Sequence, residues 1–359
     1  MRTVVFYISG HGFGHASRSI EVIKALLAQQ PTLRIIVRTT APKWLFDRGF
    51  SPAGLDYYQV ETDTGVVQID SLHLDEGESI RRARAFMRTF EARIDEEVSF
   101  LKDQHASLVV ADIPPLGIAA GAAAGVPAIA LGNFTWDWIY AAYPNAGDVV
   151  GSVSDAYAAA DLALRLPMHG GFAAFSHVID LPFIARRSAR DPLETRAAMG
   201  FPQDERLVLV SFGGYGLKEL DLARLSQLEG YVALVSAPAG RRGSVLALDE
   251  GAMYAAGLRY EDIVCAVDVA VSKPGYGIIA ECLANDTALL YTSRGHFIEY
   301  DVLVAEMPRF LRVAYIDHAE LFSGRWAPRL DALLAQPVPP DRPAVNGADI
   351  AAEQLLKIV

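Results

Sequence analysis

Short apolar runs alternate with longer amphipathic segments along most of the 359 residues, and each run is bounded by Gly, Pro or Asp. A strand buried on both faces reads as a continuous apolar run and a covering helix as a 3.6-residue periodicity. This rhythm therefore calls for an α/β chain of parallel sheets with helices on both sides. Residues 4–8, 34–38, 108–111 and 128–131 read as strands of one sheet, and 207–212, 232–236, 267–271, 288–291 and 313–316 as strands of a second. Over 80–101, Ile80, Ala83, Phe86, Met87, Phe90, Ile94, Val98 and Leu101 fall at helical spacing and predict one long helix. A boundary near 185 gives a first domain at 1–184 and a second at 185–345, and a tail helix at 346–359 follows the Pro-rich stretch 337–343 and packs elsewhere. Two such halves facing each other leave a cleft at the C-terminal ends of their strands, where open α/β sheets bind ligands.

Composition narrows the partners. With 52% hydrophobic and 21% charged residues the chain belongs to the folded globular class. Its 43 acidic against 32 basic residues give a net charge of −11, which lacks the field that draws nucleic acid or anionic membranes. The apolar stretch 117–132 is broken by glycines and Pro127, so no integral membrane association is expected. The apolar run at residues 3–8 is too short for a signal h-region and has no cleavage site, which predicts a cytoplasmic protein. Cys265 and Cys282, the two cysteines, build neither a disulfide framework nor a Cys-rich metal site, and both are expected to be buried and inert.

Four stretches carry chemistry. Gly10-His11-Gly12-Phe13-Gly14-His15 follows the first strand and precedes a helix expected at 16–28, so free N–H groups and a helix dipole favour an anion there. A dinucleotide fingerprint fails because position 15 is His, and a phosphate loop of the Gly-Lys-Ser/Thr kind fails because the loop has no Lys. What remains is a turn presenting two imidazoles, the side chains best suited to act as bases near neutral pH, or else turn glycines with a capping His. Asp112 stands just after a strand of the same half, either as the partner that orients a His or as a cap for the next helix. The stretch from Gly132 through Asn133, Phe134, Thr135, Trp136, Asp137 and Trp138 to Tyr140 reads as a loop whose aromatic and polar groups suit a sugar ring or, equally, pack together.

In the second half, Ser211-Phe212-Gly213-Gly214-Tyr215-Gly216 and Ser272-Lys273-Pro274-Gly275-Tyr276-Gly277 place small residues at strand-to-helix turns that favour a diphosphate, with Lys273 adding a charge. Glu281, one turn into the following helix, is either an acceptor for ribose hydroxyls or a first-turn acid. Arg294 and His296, with Glu299, sit at another strand exit within reach of a sugar or phosphate. No D-x-D, H-E-x-x-H or G-x-S-x-G occurs, so metal-bound diphosphate and acyl-enzyme chemistries lose weight, and no cofactor is expected.

The segments Tyr7 to Arg18, Asp112-Ile113-Pro114, Asn133 to Tyr140 and Lys273 to Gly277 with Glu281, in that order, resemble the GT-B glycosyltransferases. Within that group they are most similar to the glycosyltransferase-like N-terminal region of plant L-arabinokinases and its free-standing bacterial relatives. More distantly, the first loop resembles that of the N-acetylglucosaminyltransferase of peptidoglycan synthesis (MurG). The resemblance implies two facing Rossmann-like domains around a cleft. It also implies a His base held by an Asp, at His15 and Asp112 by position, with His11 as competitor.

The donor, an NDP-sugar expected to be UDP-linked, would then meet Gly12, Gly14, Ser211, Gly213, Gly214, Lys273, Gly275, Tyr276, Gly277, Glu281, Arg294 and His296. The acceptor hydroxyl would lie against the first half, near Arg18, Asn133, Trp136 and Asp137. No sugar-kinase phosphate loop is found, so kinase activity is not expected. The wider family carries a Gln-containing motif where this chain has His296-Phe297-Ile298-Glu299-Tyr300. The expected activity is inverting, metal-independent glycosyl transfer. The rivals are hydrolysis or epimerisation of a nucleotide sugar on the same fold, and a nucleotide-sugar-binding protein without catalysis.

Overall fold

The computed structural model describes residues 2–50, 54–213, 217, 220–236 and 240–359. Two seven-stranded sheets organise them. The first is built from β1 (Thr3–Ile8), β2 (Arg34–Thr39), β3 (Asp56–Gln59), β6 (Ala106–Asp112), β7 (Ala128–Phe134), β8 (Leu162–Gly170) and β9 (Val178–Asp180), with a two-stranded flap of β4 (Val67–Gln68) and β5 (Leu74–Asp75) beside it. The second holds β10 (Arg206–Val210), β11 (Tyr231–Val235), β12 (Arg241–Arg242), β13 (Val245–Ala247), β14 (Val269–Ser272), β15 (Ala288–Tyr291) and β16 (Val313–Tyr315). Strand orders are 3-2-1-6-7-8-9 and 12-13-11-10-14-15-16, and every pairing within these two sheets is parallel except β12 with β13.

In each sheet the order reverses beside the first strand, so the crevice opens between β1 and β6 in one half and between β10 and β14 in the other. The register sets what meets there: Ile8 lies opposite Asp112, and Val210 opposite Val271. Val4, Val5, Phe6, Tyr7 and Ile8 are fully buried, which is why that strand reads as an unbroken apolar run.

Some expectations change. The helix expected over 80–101 is two helices, Glu76–Arg88 and Phe90–Asp103. The break falls at Thr89, whose hydroxyl bonds back to the Phe86 carbonyl at 3.1 Å and competes with the helical ladder. The aromatic segment at 132–140 is not a loop: β7 continues to Phe134 and the helix Trp136–Ala141 follows almost at once. Trp136 and Tyr140, four residues apart on that helix, stack with centroids 5.6 Å apart and are buried, so packing accounts for both rings. Cys282 is buried, but Cys265 is partly exposed.

The helix Pro192–Met199 opens the second half, and the chain then crosses back. Phe183 N–H bonds to Ala344 O at 3.1 Å, Gly347 N–H to Phe183 O at 2.9 Å, and Ile184 pairs antiparallel with Asn346. The terminal helix Gly347–Leu356 then lies on the first half, where Gln29 reaches Asp349 O and Arg2 bonds to the backbone of Val359. Among the described residues no helix is long and apolar enough to cross a membrane.

Candidate active site

Gly12, at φ +72°, turns the chain after β1 and lets the helix Gly14–Gln29 start beneath the end of β6. His15, in the first turn of that helix, places Nδ1 2.8 Å from Oδ1 of Asp112, the last residue of β6. The carboxylate is fully engaged. Arg18 donates from Nε to Oδ2 at 2.8 Å and from Nη2 to Oδ1, and Ser19 Oγ donates to Oδ2 at 2.8 Å. Burial pushes Asp112 up, but the Arg18 cation and then His15 outweigh it and hold the carboxyl at about 2. An ionised acceptor on Nδ1 leaves Nε2, which has no partner among the described residues, as the nitrogen available to take a proton.

His11 is differently placed. Its ring packs edge-on against Trp136 at 5.5 Å and tilted against Phe297 at 5.9 Å, and among the described residues no carboxylate holds it. Burial lowers its pKa well below the ordinary value, and His15, Arg294 and Lys273 lower it further. The same fact locates the site, because Arg294 and Lys273 come from the opposite half. Phe297 carries Arg294 over its ring at 4.4 Å and touches Phe134 at 5.8 Å, so an aromatic wall joins the two sides.

On that opposite side Lys273 follows β14 at the start of the helix Tyr276–Ala284. Burial and then Arg294 bring its ammonium down to about 8. Arg294 is lowered by burial as well, despite Glu299 at 3.9 Å, and it donates to Pro274 O at 3.3 Å. Two crowded cations beside a helix N-terminus form a place where an anion is stabilising. Gly277 closes on the first half: a Cβ added there would lie 3.8 Å from Gly14 Cα. A small hollow between the halves is lined by Gly14, Glu21, Arg186, Tyr276, Gly277 and Glu281.

The remaining expected residues fall as follows. Glu281 is buried and bonded by Arg186, from Nε at 2.6 Å and from Nη2, both to Oε1, and burial raises its carboxyl against the pull of that cation. Ser211 Oγ lies 2.5 Å from the Tyr260 hydroxyl, over whose ring Arg186 sits at 5.4 Å. Gly213 has φ +71°, and Gly275 caps the helix that begins at Tyr276. Gly214, with Tyr215 and Gly216, lies outside the described residues. Tyr276 is buried, accepts from Ile184 N–H at 3.0 Å and stacks on Phe183, so its ring braces the crossing. His296 is exposed and reaches Glu76 of the first half at 3.1 Å.

Of the residues expected beside the acceptor, Arg18 and Asn133 are buried, with their polar atoms on protein partners. Trp136 is only 1% exposed and donates to Asp63 at 2.8 Å, and Asp137 is half-buried and accepts from Trp138 N–H. Sequence reasoning missed Asp63, Arg186 and Tyr260. Asp63 takes Ser9 Oγ on its other oxygen at 3.1 Å, and Ser9 Oγ in turn receives His11 N–H at 3.2 Å, so this carboxyl braces the Gly-rich loop. Burial pushes Asp63 up to about 6, although the Trp136 and Ser9 bonds pull it down. The one available signal was a polar run, Glu61 to Thr64, at a strand exit without periodicity. Among the described residues no group of three His, Cys, Asp or Glu side chains is placed to hold a metal ion.

No family model matches the chain. The L-arabinokinase of Arabidopsis thaliana is 30% identical over 361 residues, which cover 98% of this chain and 34% of that protein, so the chain spans about a third of the length of the curated relative it matches. A UDP-glucosyltransferase from Polygonum tinctorium, solved with 3,4-dichloroaniline, superposes with a TM-score of 0.62 at 13% identity over 99% of this chain and 98% of its own. The glycosyltransferase VinC, solved with dTDP, superposes with a TM-score of 0.58 at 18% identity over 99% and 94%. At these identities the structural likeness is one of fold.

Proposed function

We propose that this chain, which has the GT-B fold of two facing Rossmann-like domains, transfers a glycosyl group from a nucleoside-diphosphate sugar to an acceptor hydroxyl with inversion. The observation that carries the reading is the His15–Asp112 pair at the C-terminal end of the central strand of one sheet, beside a loop whose His11 is close enough to feel Lys273 and Arg294, which stand beside a helix N-terminus on the other half. His15 Nε2 takes the proton of the acceptor hydroxyl as that oxygen bonds to the anomeric carbon. The bond from the anomeric carbon to the diphosphate breaks, and its electron pair leaves with the nucleotide. Asp112 stabilises the imidazolium that forms, and Lys273 and Arg294 meet the charge growing on the diphosphate. Ser211, Gly213, Gly277 and Glu281 would lie along the nucleotide, and the acceptor would enter against the first half. The neighbours' UDP and dTDP support a pyrimidine nucleotide, with UDP as the first donor to try. The pentose kinase named in the plant relative is not carried over, since about a third of that protein is matched.

The test is a thermal-shift panel of UDP, dTDP, GDP, ADP and their sugars, followed by transfer assays with the selected donor. His15→Ala should lower kcat by about 10² to 10⁴-fold and leave donor affinity nearly intact. Transfer at the wild-type rate in that variant would remove His15 as the base. Nucleotide release or a new sugar isomer from donor alone, with no transfer to any acceptor, would replace the reading by hydrolysis or epimerisation.

A further inference from the structure

Four buried side chains run from the imidazole to the second half. Arg18 Nη2 lies 2.9 Å from His15 Nδ1 and also donates to Asp112. The same guanidinium sends Nη1 to Asn133 Oδ1 at 2.6 Å, and Asn133 Nδ2 donates to Glu299 Oε1 at 2.8 Å. Arg18, Asn133 and Glu299 are 6%, 0% and 4% exposed, so these bonds are made away from bulk water.

The amide gives the chain a direction. A guanidinium only donates, so Asn133 must turn its oxygen to Arg18 and its NH₂ the other way. An acceptor is then required on the far side, and Glu299, in the first turn of the helix Glu299–Glu306, supplies it from the opposite half. If that acceptor is lost, the buried amide has an NH₂ without a partner and is no longer pinned, Arg18 loses its fixed hold at Nη1, and Nη2 is free to shift from Asp112 onto Nδ1. Nδ1 then faces a donor rather than the Asp112 carboxylate, and the ring proton moves to Nε2. That tautomer has no lone pair where an acceptor hydroxyl would need one.

We infer that Asn133 and Glu299 are positioning residues that fix the His15 tautomer across the cleft, with Glu299 acting through Asn133 and Arg18. The geometric part stands alone; its catalytic meaning rests on the transferase reading above. Glu299 also faces Arg294, so contact between the halves on the donor side and readiness of the base are one arrangement.

The experiment compares Glu299→Gln with Glu299→Leu. Both remove the charge, but only Gln keeps an oxygen for Asn133. Imidazole ¹⁵N spectra of the full chain, with the His15 signals assigned from His15→Asn, should show protonated Nδ1 and unprotonated Nε2 in the wild type and in Glu299→Gln. Glu299→Leu and Asn133→Ala should move both nitrogens toward the opposite pattern. With an identified donor, kcat should fall about tenfold or more in Glu299→Leu relative to Glu299→Gln. Identical His15 nitrogen shifts in all four proteins overturn the inference, as does a shift in Glu299→Gln equal to that in Glu299→Leu. If Glu299→Leu does not fold, Asn133→Ala against wild type decides by the same signals. A tautomer that follows Glu299 in a protein that turns over no nucleotide sugar would keep the inference and sink the transferase reading.

Discussion

Arg186 places both of its hydrogen bonds to Glu281 on a single oxygen, Oε1, and leaves Oε2 without a donor among the described residues, on a side chain that lines the hollow between the halves. A carboxylate anchored in this way has one oxygen fixed and one free to accept from a vicinal diol.

Arg186→Met should therefore uncouple Glu281. Burial already raises this carboxyl, and Arg186 is the cation that opposes the rise, so the variant holds the proton to higher pH. UDP affinity at pH 7 should drop by about tenfold and recover with rising pH, whereas the 2′-deoxy analogue should change little. Calorimetric titrations with both nucleotides across pH 6 to 9 check it, and equal losses for the two would reject a role at the ribose.

Lys273 sets a second pH dependence. With its ammonium brought down to about 8 by burial and Arg294, the free protein loses this positive charge as pH rises through that value. Diphosphate affinity should weaken over the same interval. Lys273→Met should bind about tenfold more weakly at pH 7 and show no such decline. A wild-type affinity that is flat from pH 7 to 9 would contradict the assignment.

Asp112 and Arg18 should behave as a unit in stability measurements. Asp112→Asn leaves a buried guanidinium without its counter-charge, at a cost of about 3 to 5 kcal/mol, and Arg18→Met leaves the carboxylate in the same condition. The double variant removes both charges and should be more stable than the sum of the two losses allows. Urea unfolding of the four proteins measures the coupling, and strict additivity would show that the pair is not what holds Arg18 in place.

Asp63 contributes to stability in the opposite pH direction from Asp112. Its native carboxyl is raised to about 6 from an ordinary 3.8, so the folded chain keeps a proton that the unfolded chain gives up. The stabilisation is complete below the unfolded value and is lost as pH rises through about 6. Asp112, lowered to about 2, stabilises above the ordinary value of 3.8 and loses that effect only as pH falls toward 2. Wild type compared with Asp63→Asn by urea unfolding should therefore lose up to roughly 3 kcal/mol of relative stability between pH 4 and pH 6.5. A difference that is constant across that range would contradict the raised carboxyl.

The sheets were legible because strands buried on both faces need apolar residues at every position, and residues 4–8, 207–210 and 269–271 carry them without interruption. The contact of His15 with Asp112 was within reach for a related reason: residues after β1 and at the end of β6 share the crevice at which the strand order reverses. Partners of buried polar side chains were not legible. Nothing in the spacing of Arg18 and Asn133, 115 positions apart, says that they bond to each other rather than to a ligand, and both were expected beside the acceptor. Arg186 sat in a charged connector, where sequence pattern cannot separate a solvated face from a buried ion pair. The aromatic stretch was misread as a loop because Trp136 and Tyr140 at helical spacing occupy a helix of only six residues, too short for periodicity to declare itself.

The polypeptide passes between its halves twice, and the two passages run side by side, tied by backbone bonds between Phe183, Ala344 and Gly347. Two straps that run antiparallel side by side have the geometry of a leaf hinge, which bends about the line across them and resists both twist and slip. Of the six ways in which two rigid bodies can shift relative to each other, one rotation is left soft. If the halves part and rejoin, such a hinge leads His15 back to the donor side along one coordinate, and cleft contacts such as Asn133 with Glu299 have only that one to find.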